Sequence, residues 1–252
     1  KILGELPPLA AVATTAGTGS EVSRSAVITV KAVGRKVVIF SPRLMPMLAV
    51  CDPTLTYGLP PRITAETGMD ALSHNVEAFM AKGYHPMADG IALRAIKMIM
   101  KALPEAVSDG KCAWARRDMM MASTMGAVAF QKGLGVVHSL AHPLSTEAGL
   151  SHGLANAIML PPAIEFNGEA IGSRAAELAV AMGAGEPTSA AAAEAVRELS
   201  RRIGLPQKLS EVGVEREMLE ALVQKSMEDG CHMGNPVECN PDVMERLYVE
   251  AF

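Results

Sequence analysis

Apolar positions along this chain follow two different rhythms. Over the first fifty residues they fall into short β-type runs, at 9–13, 25–30, 36–40 and 48–50, separated by glycine and proline signals. From Leu59 onward the rhythm is helical. Residues 64–81 carry Met69, Leu72, Val76 and Phe79 in helical phase, and 86–103 carry Ile91, Ala95, Ile96 and Ile99. Further helices are predicted over 113–132, 170–182, 190–203, 214–227 and 241–252, with joints rich in Gly and Pro at 183–187 and 204–206. A helix is also expected to open near Ser20. The pattern predicts a mainly α protein, in which a small α/β piece (1–58) precedes an all-helical domain (59–252). A sheet of three or four short strands is a poor domain by itself. The rest of the sheet is therefore expected to be missing from this sequence. The start at Lys1 rather than Met fits an expectation of a processed or truncated N-terminus.

Composition narrows the classes of function. The chain has 252 residues, a net charge of −4 and 4% aromatic residues. With no basic cluster and few rings for base stacking, nucleic acid is not expected as a partner. No apolar run approaches the roughly 18 residues of a membrane span, and no signal peptide is visible. The four cysteines, Cys51, Cys112, Cys231 and Cys239, form no CxxC pair. Free thiols in a reducing cytoplasm are the expectation.

The candidate chemistry lies in the histidines. His138, His142 and His152 fall within fifteen residues, and His74 follows Asp70 by four. A spacing of four puts two side chains on one helix face, one turn apart. Asp70–His74 and His138–His142 are therefore two ready pairs, and His152 stands just before a helical run. Imidazole plus carboxylate suits Fe(II) or Zn(II). Spacing alone leaves the ligand set open: His138, His142 and His152 look the natural triple, while Asp70 and His74 lie off the apolar stripe and fit a solvated pair equally well. His85 and His232 flank turns and read as surface or loop-packing residues. HSLAH lacks the glutamate of HExxH, which argues against a metal-dependent hydrolase.

A second feature is TTAGTGSE, residues 14–21, after the first strand-like run. A Gly-rich turn there can offer N–H groups and hydroxyls to phosphate. The third glycine of the dinucleotide fingerprint is absent, since position 22 is Val. By itself the segment reads as a tight turn with a Ser or Thr helix cap.

TTAGTGSE (14–21), LPPRITAETGMDALSHNVEAF (59–79), GLGVVHSLAHPLSTEAGLSHGLANAIMLP (133–161) and GNP (234–236) resemble successive blocks of the group III, iron-containing alcohol dehydrogenases. The resemblance covers essentially the whole chain. It implies an all-helical metal-binding domain preceded by the remnant of a Rossmann-like nucleotide-binding domain. It implies Fe(II), or Zn(II), held by Asp70, His74, His138 and His152, with His142 a non-ligand beside the nicotinamide and the substrate. Thr14, Thr15 and Thr18 match the family's cofactor-contacting threonines, and Lys36 matches a lysine near the ribose of NAD or NADP. Phe130 is a candidate for the substrate wall or for plain core packing. The implied reaction interconverts a primary alcohol and its aldehyde, in a protein that is a possible homo-oligomer. Two departures stand out. The family's GGGS phosphate loop is absent, with roughly the first third of a normal member. Val237 stands where many relatives have a basic residue. The alternative is a metal-binding helical fragment without dehydrogenase activity of its own.

Overall fold

The computed structural model describes residues 6–30 and 35–252, without the side chains of 27, 29, 30 and 35–38. All described strands precede residue 51: β1 (Ala10–Val12), β2 (Ser25–Val30), β3 (Arg35–Phe40) and β4 (Leu48–Val50). They form two separate pairs rather than the single sheet the sequence led us to expect. β1 lies parallel to β4, with Ala11 opposite Ala49, and β2 with β3 makes an antiparallel hairpin. Near Ser20 the chain makes one 3-10 turn (Ser20–Val22), not a longer helix.

The remainder is helical: α1 (Pro61–Met80), α2 (Pro86–Ser108), α3 (Ala113–Ala129), α4 (Val136–Glu147), α5 (His152–Ile171), α6 (Arg174–Met182), α7 (Ser189–Arg202), α8 (Leu219–Glu228) and α9 (Pro241–Glu250). Two boundaries differ from the sequence reading for local reasons. Gly172, at φ +55°, ends α5 and delays α6 to Arg174. The stretch predicted as helix from 214 starts as a 3-10 turn (Arg216–Met218) before α8 begins. His85 is the N-cap of α2, its Nδ1 accepting from the Ala88 N–H at 3.2 Å. The residue is exposed, in keeping with its reading as a surface histidine beside a turn.

α1 is the central element. Its apolar stripe of Met69, Leu72, Val76 and Phe79 is fully buried, but so is nearly everything else from Thr64 to Met80. The reason lies in the residues off the stripe. Ala65, Gly68, Ala71 and Ala78 are small, so neighbours close in all round, and α1 packs against α2, α3 and α5. A Cβ on Gly68 would stand 2.2 Å from Leu103 Cδ1, which measures how near α2 comes. This enclosure overturns the solvated-pair reading of Asp70 and His74: each is only 5% exposed. No described helix is long and apolar enough to cross a membrane.

Candidate metal centre

Three helices converge on Asp70. α1 supplies Asp70 and His74 one turn apart; α4 supplies His138; the first residue of α5 is His152. Asp70 Oδ1 lies 3.4 Å from His152 Nε2, 3.8 Å from His74 Nε2 and 3.9 Å from His138 Nε2. The donors of Asp70, His138 and His152 are mutually within 4.8 Å. His74 falls outside that trio but stacks on the His138 ring, with centroids 4.7 Å apart. Ligands about 2.1 Å from a tetrahedral ion are about 3.4 Å from one another, so these gaps match a cation-sized centre.

The electrostatics fit the same occupant. His138 Nε2 is buried with no hydrogen-bond partner, and so is His74 Nδ1. Folded proteins rarely leave buried ring nitrogens orphaned beside a buried carboxylate. Burial drives His138 well below the usual imidazole value and His152 down to about 3, so both rings are neutral, as ligation requires. Burial works against the Asp70 carboxylate too. His74, His152, His138 and a 2.9 Å hydrogen bond from Asn156 Nδ2 outweigh it and hold Asp70 below the ordinary carboxylate value.

Glu77, Asn235 and Asn167, which hold the start of α4 and the His138 ring, were not read from the sequence. Glu77, buried on α1, makes a short hydrogen bond with His138 Nδ1. Its other oxygen accepts the Val137 N–H at 2.8 Å and the His138 N–H at 3.4 Å. Asn235 Oδ1 accepts the Val136 N–H at 3.3 Å. The start of α4 has no cap from its own N-cap Gly135, so these two distant side chains satisfy its orphan donors. Asn235, in the GNP segment, also exchanges side-chain hydrogen bonds with Asn167 at 2.7 and 3.0 Å. A signal for Glu77 was present: it lies three residues after His74 and seven after Asp70, on the same helix face.

His142 belongs to a neighbouring set. Its ring stacks on His152 (5.2 Å, 14°), yet its Nδ1 goes to Asp229 Oδ2 at 2.7 Å. His142, Asp229 and Cys231 are themselves mutually within 4.8 Å. Phe130, half-buried, sets its ring 4.9 Å from His74 and so borders the centre. Thr14 and Thr18 are exposed and Thr15 half-buried, in the loop between β1 and the 3-10 turn. That turn is capped by Gly19 with no side-chain hydrogen bond, contrary to the expected Ser or Thr cap. Gly19 has φ +62°, and a Cβ on it would stand 2.4 Å from Ala127 Cβ, so the loop rests directly on α3. Lys36 is on β3, but its side chain lies outside the described residues. His232, in a 3-10 turn, donates its N–H to Ser139 Oγ at 2.8 Å.

One close approach sets the geometry of the centre. A Cβ on Gly153 would stand 1.9 Å from the Glu66 carbonyl oxygen, a backbone atom that cannot step aside. Gly153→Ala is therefore expected to push α5 off α1 and His152 away from Asp70. The cost should be about 1–3 kcal/mol, a fall in Tm of several degrees, with weakened metal binding. Thermal melts with and without metal check this, and an unchanged metal-induced rise in Tm would contradict it.

Comparison with known proteins places the whole chain beside one family. The family description "Fe-containing alcohol dehydrogenase family, C-terminal" matches residues 64–252, and "Iron-containing alcohol dehydrogenase" matches 1–53. A 4-hydroxybutyrate dehydrogenase of Cupriavidus necator is 44% identical over 98% of this chain and 66% of its own. An NAD-dependent methanol dehydrogenase of Bacillus methanolicus is 40% identical over 91% of this chain and 62% of its own. The crystal structure of a 1,3-propanediol oxidoreductase superposes with a TM-score of 0.96 at 38% identity, over 100% of this chain and 68% of that one. A sulfoacetaldehyde reductase of Bifidobacterium kashiwanohense, solved with NAD+, gives 0.90 at 36% identity, over 97% of this chain and 64% of that one. The chain spans 66% and 58% of the length of two of the curated relatives it matches. With its helical part and its strand segment both matched, the chain belongs to the iron-containing alcohol dehydrogenase family.

Proposed function

We propose that this chain carries the metal-binding catalytic part of an NAD(P)-linked dehydrogenase that interconverts a primary alcohol and its aldehyde. The observation that carries this reading is the convergence of three imidazoles on one buried carboxylate, with His138 Nε2 buried there and left without a hydrogen-bond partner. Asp70, His74, His138 and His152 would hold Fe(II), or Zn(II). A bound divalent ion supplies a Lewis acid for the substrate's hydroxyl oxygen. A bound NAD or NADP supplies the hydride acceptor. His142 accepts the hydroxyl proton and passes it to solvent, its ring being partly exposed. Phe130 forms an apolar wall beside His74 that excludes water. Thr14, Thr15 and Thr18 contact the dinucleotide, with Lys36 near its ribose. In this reading, the strand segment ends and the metal-binding domain begins near Leu59.

Alcohol-dependent reduction of NAD or NADP by the Fe(II)- or Zn(II)-loaded protein, and its loss on chelation, tests the reading. Metal uptake without turnover by these 252 residues would favour a metal-binding helical unit with no dehydrogenase activity of its own.

Protons should accompany metal uptake. Burial pushes the Glu77 carboxyl up to about 8, so in the metal-free protein at pH 7 it keeps its proton against His138 Nδ1. Ligation through His138 Nε2 needs the proton on Nδ1, donated to an ionised Glu77, so one proton must leave. Uptake at pH 7 should release about one proton, and affinity should rise with pH until about 8. Calorimetry in buffers of different ionisation enthalpy reads this directly, and proton-neutral uptake would contradict it.

A further inference from the structure

The proposed function gives His142 a proton to accept but does not say what keeps its ring ready to accept it. A neutral imidazole carries one ring proton, and a hydrogen bond at one nitrogen decides which nitrogen is bare. Asp229, 87 residues further along the chain, makes that hydrogen bond to His142.

The network around Asp229 runs in one direction only. The His232 N–H donates to Ser139 Oγ at 2.8 Å. Ser139 then donates its hydroxyl proton to Asp229 Oδ1 at 2.7 Å. The Cys231 N–H donates to the same oxygen at 2.8 Å, as the cap of its 3-10 turn. Asp229 Oδ1 thus has two donors aimed at it, and Oδ2 is left for His142 Nδ1 at 2.7 Å. Burial works against this carboxylate, but the hydrogen bonds from His142, Cys231 and Ser139 outweigh it and keep it below its ordinary value. An ionised carboxylate only accepts. His142 Nδ1 must therefore carry the ring proton. Among the described residues nothing hydrogen-bonds His142 Nε2, while the ring lies flat against His152 at the rim of the metal centre.

We propose that Asp229 is a positioning residue that holds His142 as its Nδ1–H tautomer, turning a bare Nε2 toward the substrate side of the centre. This rests on the proposed role of His142 only for its chemical use; the tautomer itself is fixed by the hydrogen bonds above. With a bound nicotinamide to supply the hydride acceptor, the hydroxyl proton of the alcohol would go to Nε2. The resulting imidazolium then donates through Nδ1 to Asp229, and the Nε2 proton departs to solvent.

The geometry makes a sharp expectation for Asp229→Asn. Ser139 and the Cys231 N–H both donate to the Oδ1 position, so the amide oxygen of Asn must occupy it. That places the amide NH2 against His142 Nδ1, which must then accept. The ring is forced into the Nε2–H tautomer and presents a donor where an acceptor is needed.

The test uses the full chain loaded with diamagnetic Zn(II) and labelled with 15N in its histidine rings. Ring-proton to nitrogen correlation spectra report the tautomer, with His142→Gln identifying the signals. The expected result is Nδ1–H in the wild type and Nε2–H in Asp229→Asn, with zinc content unchanged. kcat should fall by about 10²–10⁴-fold, the usual share of general acid–base catalysis, while KM for the alcohol moves little. An Nε2–H tautomer in the wild type overturns the proposal, whether or not the variant folds. So does a tautomer that Asp229→Asn leaves unchanged. A tautomer that switches as expected with undiminished kcat upholds the positioning by Asp229 and instead sinks the proton-accepting role of His142.

Discussion

Asp70→Asn is expected to leave a folded protein that no longer holds metal. Asp70 Oδ1 is the point on which three imidazoles converge, at 3.4, 3.8 and 3.9 Å. It brings the only negative charge among the proposed ligands. An amide of the same shape keeps an oxygen for the hydrogen bond from Asn156 but removes that charge. The fold should barely notice, since one neutral hydrogen bond replaces a charged one, a change of about 1 kcal/mol. The metal should notice greatly. Losing an outer partner alone costs about 10–100-fold in affinity, and losing a ligand should exceed that range. Alcohol-dependent turnover should fall to background with it. Metal analysis beside melts of the metal-free proteins checks both halves. A variant that retains wild-type metal content would show that Asp70 is not a ligand.

The second large effect is expected from a residue that touches no metal. In Glu77→Gln, the amide oxygen can still cap α4 by accepting from Val137 and His138. The amide NH2 then faces His138 Nδ1, where the other carboxylate oxygen was. The ring must accept there and carry its proton on Nε2, the nitrogen that faces Asp70 at 3.9 Å. A protonated Nε2 cannot ligate. Metal affinity should drop by about 10–100-fold or more, although no ligand has been changed. Glu77→Ala should do worse, because it also strands the buried N–H of Val137, at about 1–3 kcal/mol for each unsatisfied group. Metal titrations of both variants, with melts, separate the two effects. Wild-type affinity in Glu77→Gln would remove Glu77 from any role in holding His138.

These two expectations mark the divide between what was readable in the sequence and what was not. The helices were legible because they follow local rules. The stripe of Met69, Leu72, Val76 and Phe79 predicts α1, and Gly183 at φ +75° closes α6 near where its joint was read. The i,i+4 relation of Asp70 and His74 was legible for the same reason. Their burial was not, because it depends on α2, α3 and α5 closing over a helix whose small residues leave room. The separation of the strands into two pairs was hidden too, since pairing is non-local.

Within the site, spacing put His138, His142 and His152 on an equal footing. The distinction among them is made by partners far away in sequence. His142 is tied to Asp229 and His138 to Glu77, 87 and 61 residues apart. Spacing could not choose among them, and the proposed ligand set rests on the resemblance to the family. Asn156 was within reach: it lies four residues after His152 on α5, one turn along, and its amide spans Asp70 and His152 at 2.9 and 3.2 Å. A second polar residue one turn from a candidate ligand was the signal that went unread.

Metal content after His138→Ala, set beside His142→Ala, is the most direct test of the proposed centre. Both residues are histidines of α4, one turn apart, and their rings are 5.9 Å from each other. One presents a buried, partnerless Nε2 to Asp70, and the other spends its Nδ1 on Asp229. Purified and loaded under the same conditions, His138→Ala should retain almost no divalent metal, and both His142→Ala and the wild type should retain close to one ion per chain. Full occupancy in His138→Ala with loss in His142→Ala would place the metal on the wrong side of His152 and contradict the ligand set.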